Sequence, residues 1–170
     1  MADLEKLDRE APVGAFSTYD AEILIAQLEK LEPGQLYLEV GVDKGKSLWI
    51  SKQVVKEGVE VHGVDLREDP GVTGAVFHRG DSVAIAKDWE KKIDVLFIDG
   101  DHSYEGVKKD WEMYGPLVRE GGIIAFHDAL YHADKTEEVD VLWKELKYNH
   151  INCREIKSCP NSTGIGVIIK

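Results

Sequence analysis

The stretch Leu36-Tyr37-Leu38-Glu39-Val40-Gly41-Val42-Asp43-Lys44-Gly45-Lys46-Ser47-Leu48 constrains the fold more than any other part of the chain. Leu36, Leu38 and Val40 alternate with Tyr37 and Glu39, which is the period of a short strand. Gly41 and Gly45 follow, and a residue without a Cβ lets the backbone turn tightly or pass close to a neighbour. An amphipathic segment starts directly after Gly45, so the free N–H groups of a helix start face the turn. Strand, glycine turn and helix in this order form a site for a nucleotide-like ligand.

Two phosphate-binding motifs fail on spacing. A P-loop needs four residues between its first glycine and Gly-Lys-Ser. Only Val42, Asp43 and Lys44 separate Gly41 from Gly45-Lys46-Ser47, and Val40 stands where the glycine is required. Asp43 would also set a carboxylate against the phosphate. The G-x-G-x-x-G pattern fails because Val42 and Asp43 follow Gly41. What remains, Glu-x-Gly-x-x-x-Gly after a strand, resembles the first motif of class I S-adenosylmethionine-dependent methyltransferases. Their cofactor carries a sulfonium, an amine and a carboxylate but no phosphate, so an acid beside the turn is tolerated.

A chain of 170 residues suits one domain, expected over 1–170, with 1–20 as an N-terminal extension or lid. The formal net charge of −11 argues against a nucleic-acid partner, which needs a basic face. No apolar run is long enough for a membrane span, and Met1-Ala2-Asp3-Leu4-Glu5-Lys6 lacks a leader pattern, so a cytoplasmic protein is expected. Cys153 and Cys159 have no metal-knuckle spacing and are expected as reduced thiols.

Strands and helices alternate along the chain. Strands are expected near 36–40, 59–65, 75–78, 93–98, 123–126, 150–156 and 165–169. Helices are expected after Ser17 or Thr18, over about 45–57, after Asp81-Ser82, after Ser103 and after Thr136. Ile93 to Ile98 is almost wholly apolar, as in the centre of a parallel sheet. The alternation implies a three-layer α/β sandwich over a mostly parallel sheet, and the last two strands, separated by a turn at Cys159-Pro160-Asn161-Ser162, imply an antiparallel edge hairpin. Ligands of such sheets bind beyond the carboxyl ends of the strands. Glu39 and Gly41, Asp65, Asp81, Asp99 to His102, and His127-Asp128 all fall there. A carboxylate such as Asp65 accepts from both hydroxyls of a ribose.

Val95-Leu96-Phe97-Ile98-Asp99-Gly100-Asp101-His102-Ser103-Tyr104, with Gly121-Gly122-Ile123-Ile124-Ala125-Phe126-His127-Asp128, resembles the small O-methyltransferases of class I, including cephalosporin-hydroxylase-like, macrocin-type and catechol-type enzymes. The resemblance runs from about Tyr37 to Lys170. It implies a Rossmann-like seven-stranded sheet in the order 3-2-1-4-5-7-6. It implies that Glu39, Gly41 and Gly45 line the methionine part of S-adenosylmethionine, Asp65 the ribose and Asp81-Ser82 the adenine edge, with Asp99 also beside the cofactor. In metal-dependent relatives Asp99, His127 and Asp128 would occupy the metal positions. Two carboxylates suit Mg²⁺, and His127 tilts the set toward Mn²⁺. His102, Asp99 and His127 are the catalytic candidates, with His102 first as the general base. The acceptor is expected to be a small molecule or sugar hydroxyl. Short lids, including 129–135, predict a homo-oligomer in which a second subunit completes a wall. The competing readings are a P-loop-like phosphotransferase using Asp99 for Mg²⁺, and a cofactor-binding relative without catalysis.

Overall fold

A computed structural model describes residues 2–14, 16–130, 138–149, 153–156 and 164–170. The expected helix cap at Thr136, the turn at 159–162, Cys159 and most of the 129–135 lid lie outside them. The elements are α1 (Leu4–Glu10), α2 (Thr18–Leu28), β1 (Leu36–Val40), α3 (Lys46–Val54), β2 (Glu60–Asp65), β3 (Val76–Arg79), α4 (Ser82–Lys87) and β4 (Ile93–Ile98). They continue with α5 (Tyr104–Tyr114), β5 (Val118–Phe126), α6 (Val139–Asn149), β6 (Cys153–Ile156) and β7 (Ile165–Ile169).

The sheet runs β3-β2-β1-β4-β5-β7-β6, the expected order. The first five strands are parallel, while β7 pairs antiparallel with both β5 and β6. β1 and β4 sit in the middle and are buried along their whole length. Alternation along β1 therefore does not separate a dry face from a wet one. Tyr37 joins the core under α2 and α3 with Leu24, Leu28, Leu48 and Phe97. Leu36, Leu38 and Val40 join the opposite core with Leu96, Tyr114, Phe126 and Trp143. Helix layers on both faces of a parallel sheet require this.

Side-chain caps set where several helices begin. Ser17 accepts from Asp20 N at 3.1 Å, Asp81 from Ala84 N at 2.9 Å and Ser103 from Gly106 N at 3.1 Å. Each satisfies a backbone donor that the first turn leaves orphaned. β5 starts five residues earlier than its apolar run, at Val118, and contains Gly121-Gly122. The β4–β5 register shifts between Ile93 and Val95, and the glycine pair lies in that irregular stretch.

Candidate active site

The carboxyl ends of β1, β2 and β4 are joined by backbone hydrogen bonds. Gly41 N donates to Val64 O at 2.9 Å and Asp99 N donates to Val40 O at 2.8 Å. Gly41 adopts φ 92°, and a Cβ there would lie 2.1 Å from the Asp99 carbonyl oxygen. Only glycine lets the two strand ends cross this closely. Gly45 caps α3 with φ 85°, and its missing Cβ leaves room for the Pro70 ring.

Asp65 fastens the turn. Its Oδ2 accepts from Val42 N at 2.7 Å and Asp43 N at 2.8 Å, and its Oδ1 from Arg67 N at 2.8 Å. A carboxylate has about four acceptor positions, so one stays available, and Asp65 borders the cleft described below. The hydroxyl of Ser47 and the ammonium of Lys46, the polar residues of the near-miss P-loop, turn elsewhere. Ser47 donates to Glu39 Oε1 and Lys46 donates to Asp8 Oδ1 at 2.9 Å.

Glu39 is fully buried, and its Oε2 also accepts from the Tyr37 hydroxyl at 2.8 Å. Burial pushes its carboxyl up to about 8, outweighing the hydrogen bonds from Ser47 and Tyr37 that favour the charged form. Glu39, expected to line the methionine part of the cofactor, borders neither hollow described next. Its side chain points under the turn on the Tyr37 face, because residues two apart on a strand share a face. Gly45 likewise borders neither hollow described next.

Beyond the strand ends lies a cleft of about 590 Å³, bordered by Gly41, Asp65, Leu66, Ser82, Asp99 and His102 among others. Asp81 also borders it while capping α4. A side pocket of about 60 Å³ opens between Phe16, the glycine turn and Asp99. The N-terminal segment thus reaches the rim, and the Phe16 ring packs on Phe97 and His127 at centroid distances of 5.7 and 5.6 Å.

At the end of the cleft marked by Asp99 and His102, two carboxylates and two imidazoles converge. His102 Nε2 is 3.3 Å from Asp99 Oδ1 and its Nδ1 is 3.4 Å from Asp128 Oδ2. His127 Nδ1 is 3.0 Å from Asp99 Oδ1 and 3.1 Å from Asp128 Oδ2, and its Nε2 lies 3.6 Å from Asp20 Oδ2. Burial alone would depress the His127 imidazole. The Asp99 charge and the hydrogen bonds of Asp128, Asp20 and Asp99 reverse this and hold it well above the usual range. Asp128 turns its carboxylate into the cluster from a left-handed backbone conformation, φ 55°. Asp101 does not join. It accepts from Ser103 N at 2.9 Å, which lowers its carboxyl below the ordinary range.

The ligand atoms of Asp99, His102 and Asp128 all lie within 4.8 Å of one another. Two carboxylate oxygens and one imidazole nitrogen fit a divalent cation such as Mg²⁺ or Mn²⁺. This set differs from the expected Asp99, His127 and Asp128. His127 is buried deeper, with its Nδ1 already directed at both carboxylates and Phe16 packed on its ring.

The model of the family described as "methyltransferase domain" matches residues 38–129, from β1 to just past Asp128. The chain belongs to the methyltransferase-domain family. An uncharacterized protein of Acanthamoeba polyphaga mimivirus is 35% identical over 78 residues, a stretch covering 42% of this chain and 35% of that protein. The chain thus spans about a third of that relative's length. Among solved structures, the O-methyltransferase of Bacillus cereus in complex with SAH superposes with a TM-score of 0.71 at 16% identity, covering 98% of this chain and 90% of that one. TomG, an O-methyltransferase of Streptomyces achromogenes in complex with SAM, gives 0.70 at 14% identity over 98% and 89%. MycE, the mycinamycin-pathway methyltransferase in complex with Mg, SAH and mycinamycin VI, gives 0.72 at 18% identity over 99% of this chain and 54% of that one. At these identities the likeness is one of fold. Membership of the methyltransferase-domain family overturns the phosphotransferase alternative, in keeping with the diverted Lys46 and Ser47.

Phe16, Leu66 and Asp110 border the two hollows and Asp20 lies against His127, without having been singled out as site residues in the sequence. Asp110 carried a signal: it stands three residues after Val107 and four before Tyr114, an acid on the inward stripe of α5.

Proposed function

We propose that this methyltransferase domain transfers the methyl group of S-adenosylmethionine to a hydroxyl of a small molecule, sugars included. The observation that carries the reading is one continuous cleft running from Ser82 past Asp65 and Gly41 to His102 and Asp99. The remaining acceptor position of Asp65 suits a ribose hydroxyl. Leu66, 70% exposed on the cleft wall, offers an apolar face to a base. Gly41 leaves room for the methionine part beside Asp99.

In the reaction the acceptor oxygen attacks the methyl carbon in line with the sulfonium. The C–S bond breaks with its electron pair going to sulfur, and the acceptor proton must leave. His102 takes that proton on a ring nitrogen that turns from its carboxylate to the acceptor oxygen, since its Nε2 and Nδ1 otherwise face Asp99 and Asp128 at 3.3 and 3.4 Å. The carboxylate that keeps its contact stabilises the imidazolium that forms. His127, held cationic, offsets the same two carboxylates from below and keeps the pair from repelling each other. A second, metal-assisted reading is favoured by the convergence of Asp99, His102 and Asp128. Asp99, His102 and Asp128 would hold a divalent cation there, and it would supply a lowered pKa to the acceptor hydroxyl.

Calorimetry with S-adenosylhomocysteine tests the cofactor reading. The wild type binds, and Asp65→Ala loses about 10- to 100-fold in affinity, the scale of one charged hydrogen bond together with a loosened turn. Methyl transfer across a panel of hydroxyl acceptors, run with chelator and with added Mg²⁺ or Mn²⁺, separates the two routes. Activity that survives chelation and disappears in His102→Gln assigns proton removal to His102, and activity that needs the cation assigns it to the metal. No binding of S-adenosylhomocysteine at millimolar concentration would overturn the proposal. A wall supplied by a second copy of the chain completes the acceptor site in this reading, and full activity in a sedimenting monomer would remove that part.

A further inference from the structure

His102 and Asp128 reach the cluster from different elements. His102 lies in residues 99–103, which link β4 to α5 without regular structure, and Asp128 lies just past the end of β5. Beyond Asp99 the local bonds of the link are short-range. Asp101 Oδ1 accepts from Ser103 N at 2.9 Å, and Ser103 Oγ accepts from Gly106 N at 3.1 Å. These bonds shape the turn but do not set where its histidine sits above the sheet.

The long-range tie comes from Glu138, the residue before α6. Its N–H donates to the His102 carbonyl at 2.8 Å, and its Oε2 accepts from Tyr104 N at 2.9 Å. One residue thus grips the backbone on both sides of Ser103. Tyr104 N belongs to the first turn of α5, where N–H groups have no partner within the helix. Ser103 serves Gly106, so Glu138 is the partner of Tyr104 N. The Tyr104 hydroxyl donates to Glu145 Oε2 at 2.9 Å, farther along α6.

Helix α6 is in turn fixed against β5. Trp143 is buried, and its ring lies 5.9 Å from that of Phe126, the residue before His127. Val139 and Leu142 share a core with Val107 of α5. Helix α6 therefore touches both sources of the cluster, the His102 link through Glu138 and the Asp128 end of β5 through Trp143. The 3.4 Å between His102 Nδ1 and Asp128 Oδ2 rests on that bridge.

We infer that Glu138 is a positioning residue of the methyl-transfer site, its two backbone hydrogen bonds holding His102 over the Asp99 and Asp128 carboxylates. The inference rests on the reading of His102 as part of that site, and it goes further by naming what places the side chain. Glu138 is exposed and borders neither hollow, so it acts on the reaction through His102. A misplacement of about 1 Å in a reacting group is enough to cost about 100-fold in rate.

Glu138→Ala removes the carboxylate and keeps the backbone N–H, while Glu138→Gln keeps an acceptor oxygen for Tyr104 N. Long-range proton–nitrogen spectra of the imidazoles read the outcome, the His102 signals being assigned by their loss in His102→Gln. In Glu138→Ala the His102 signals are expected to move. Those of His62 and His78, on β2 and β3, keep their wild-type positions and report an intact fold. Glu138→Gln leaves all three in place. With a hydroxyl acceptor from the panel above, Glu138→Ala should lower kcat by about 10- to 100-fold with the KM for S-adenosylmethionine within about 2-fold, and Glu138→Gln should recover most of that loss. His102 signals that stay put in Glu138→Ala overturn the inference, and so does a Glu138→Gln protein that loses as much kcat as Glu138→Ala. Hydrogen exchange on the wild type decides the matter without a variant. The Tyr104 amide should exchange about 100-fold more slowly than in an unstructured chain, and unprotected exchange there overturns the inference. A wild type that binds no S-adenosylhomocysteine, but whose His102 signals follow Glu138, overturns the cofactor reading and supports the placement of His102.

Discussion

Glu39→Gln isolates the cost of placing a carboxyl under the glycine turn. The wild-type side chain is fully buried, accepts from Tyr37 and Ser47, and is pushed from 4.5 to about 8 chiefly by burial. Its folded value is raised, so between pH 4.5 and about 8 the folded state binds a proton that the unfolded chain has released. Stability on this account falls as pH rises through that window. At about 1.4 kcal/mol per unit, the whole window corresponds to about 5 kcal/mol, and the interval from pH 5.5 to 7.5 to about 2–3 kcal/mol. Glutamine keeps the shape and the donor–acceptor pattern of the protonated acid, and it does not titrate. Urea unfolding of both proteins at pH 5.5, 6.5 and 7.5 reads the effect directly. The contributions of His62, Asp110 and His127 are common to both chains and cancel in the difference. The wild type should lose about 2–3 kcal/mol more than the variant across that range. Parallel pH dependences would refute the reasoning, because they would mean that Glu39 is ionised in the folded protein.

Gly41→Ala should destabilise by about 3 kcal/mol, since alanine must adopt a left-handed conformation and its Cβ meets the Asp99 carbonyl. Differential scanning calorimetry should show a Tm lower by roughly 6–12 °C, and an unchanged Tm would mean that the β1 and β4 ends do not cross this closely. On the acid side, His62 Nδ1 meets His78 Nε2 at 2.9 Å and its Nε2 meets Glu60 Oε2 at 3.0 Å, beneath Trp89. Burial lowers both imidazoles, with the Lys91 charge and, for His78, that of His62 adding to it, while for His62 the hydrogen bond and charge of Glu60 oppose it. Stability carried by the neutral pair is therefore present above about 6.5 and lost as pH falls below it. His62→Gln should flatten the decline in unfolding free energy between pH 7 and 5, and an equally steep decline would exclude this pair as its source.

The elements with unambiguous local signals were legible in the sequence. Ile93 to Ile98 and Ile165 to Ile169 fall where their apolar runs place them. Ser17, Asp81 and Ser103 cap as short polar residues before an amphipathic run do. β5 was shortened in the reading because Gly121-Gly122 looks like a loop. Only the pairing with β4 carries the strand back to Val118. Strand pairing is a tertiary fact that local propensity does not contain.

The site divides along the same line. A carboxylate at a strand end has three uses in this fold: to hold a turn, to cap a helix or to face a ligand. Asp65 does the first through Val42 and Asp43, Asp81 the second through Ala84, and Asp99 faces the cleft. In sequence all three are an acid after an apolar run. What separates them is which neighbouring strand end supplies backbone N–H groups within reach, and that is fixed by the order β3-β2-β1-β4-β5. β1 is flanked by β2 and β4, so the Asp65 carboxylate is drawn onto the β1 turn, while Asp99 is left facing β5 and its His127-Asp128 end. The exchange of His102 for His127 in the converging set has the same origin. His127 follows a strand directly and turns into the core with Phe97 and Phe16. His102 stands four residues beyond β4, far enough along the loop to come back over Asp99 and Asp128. A histidine four residues past a strand can return over the strand end, and one immediately after it inherits the strand's buried face.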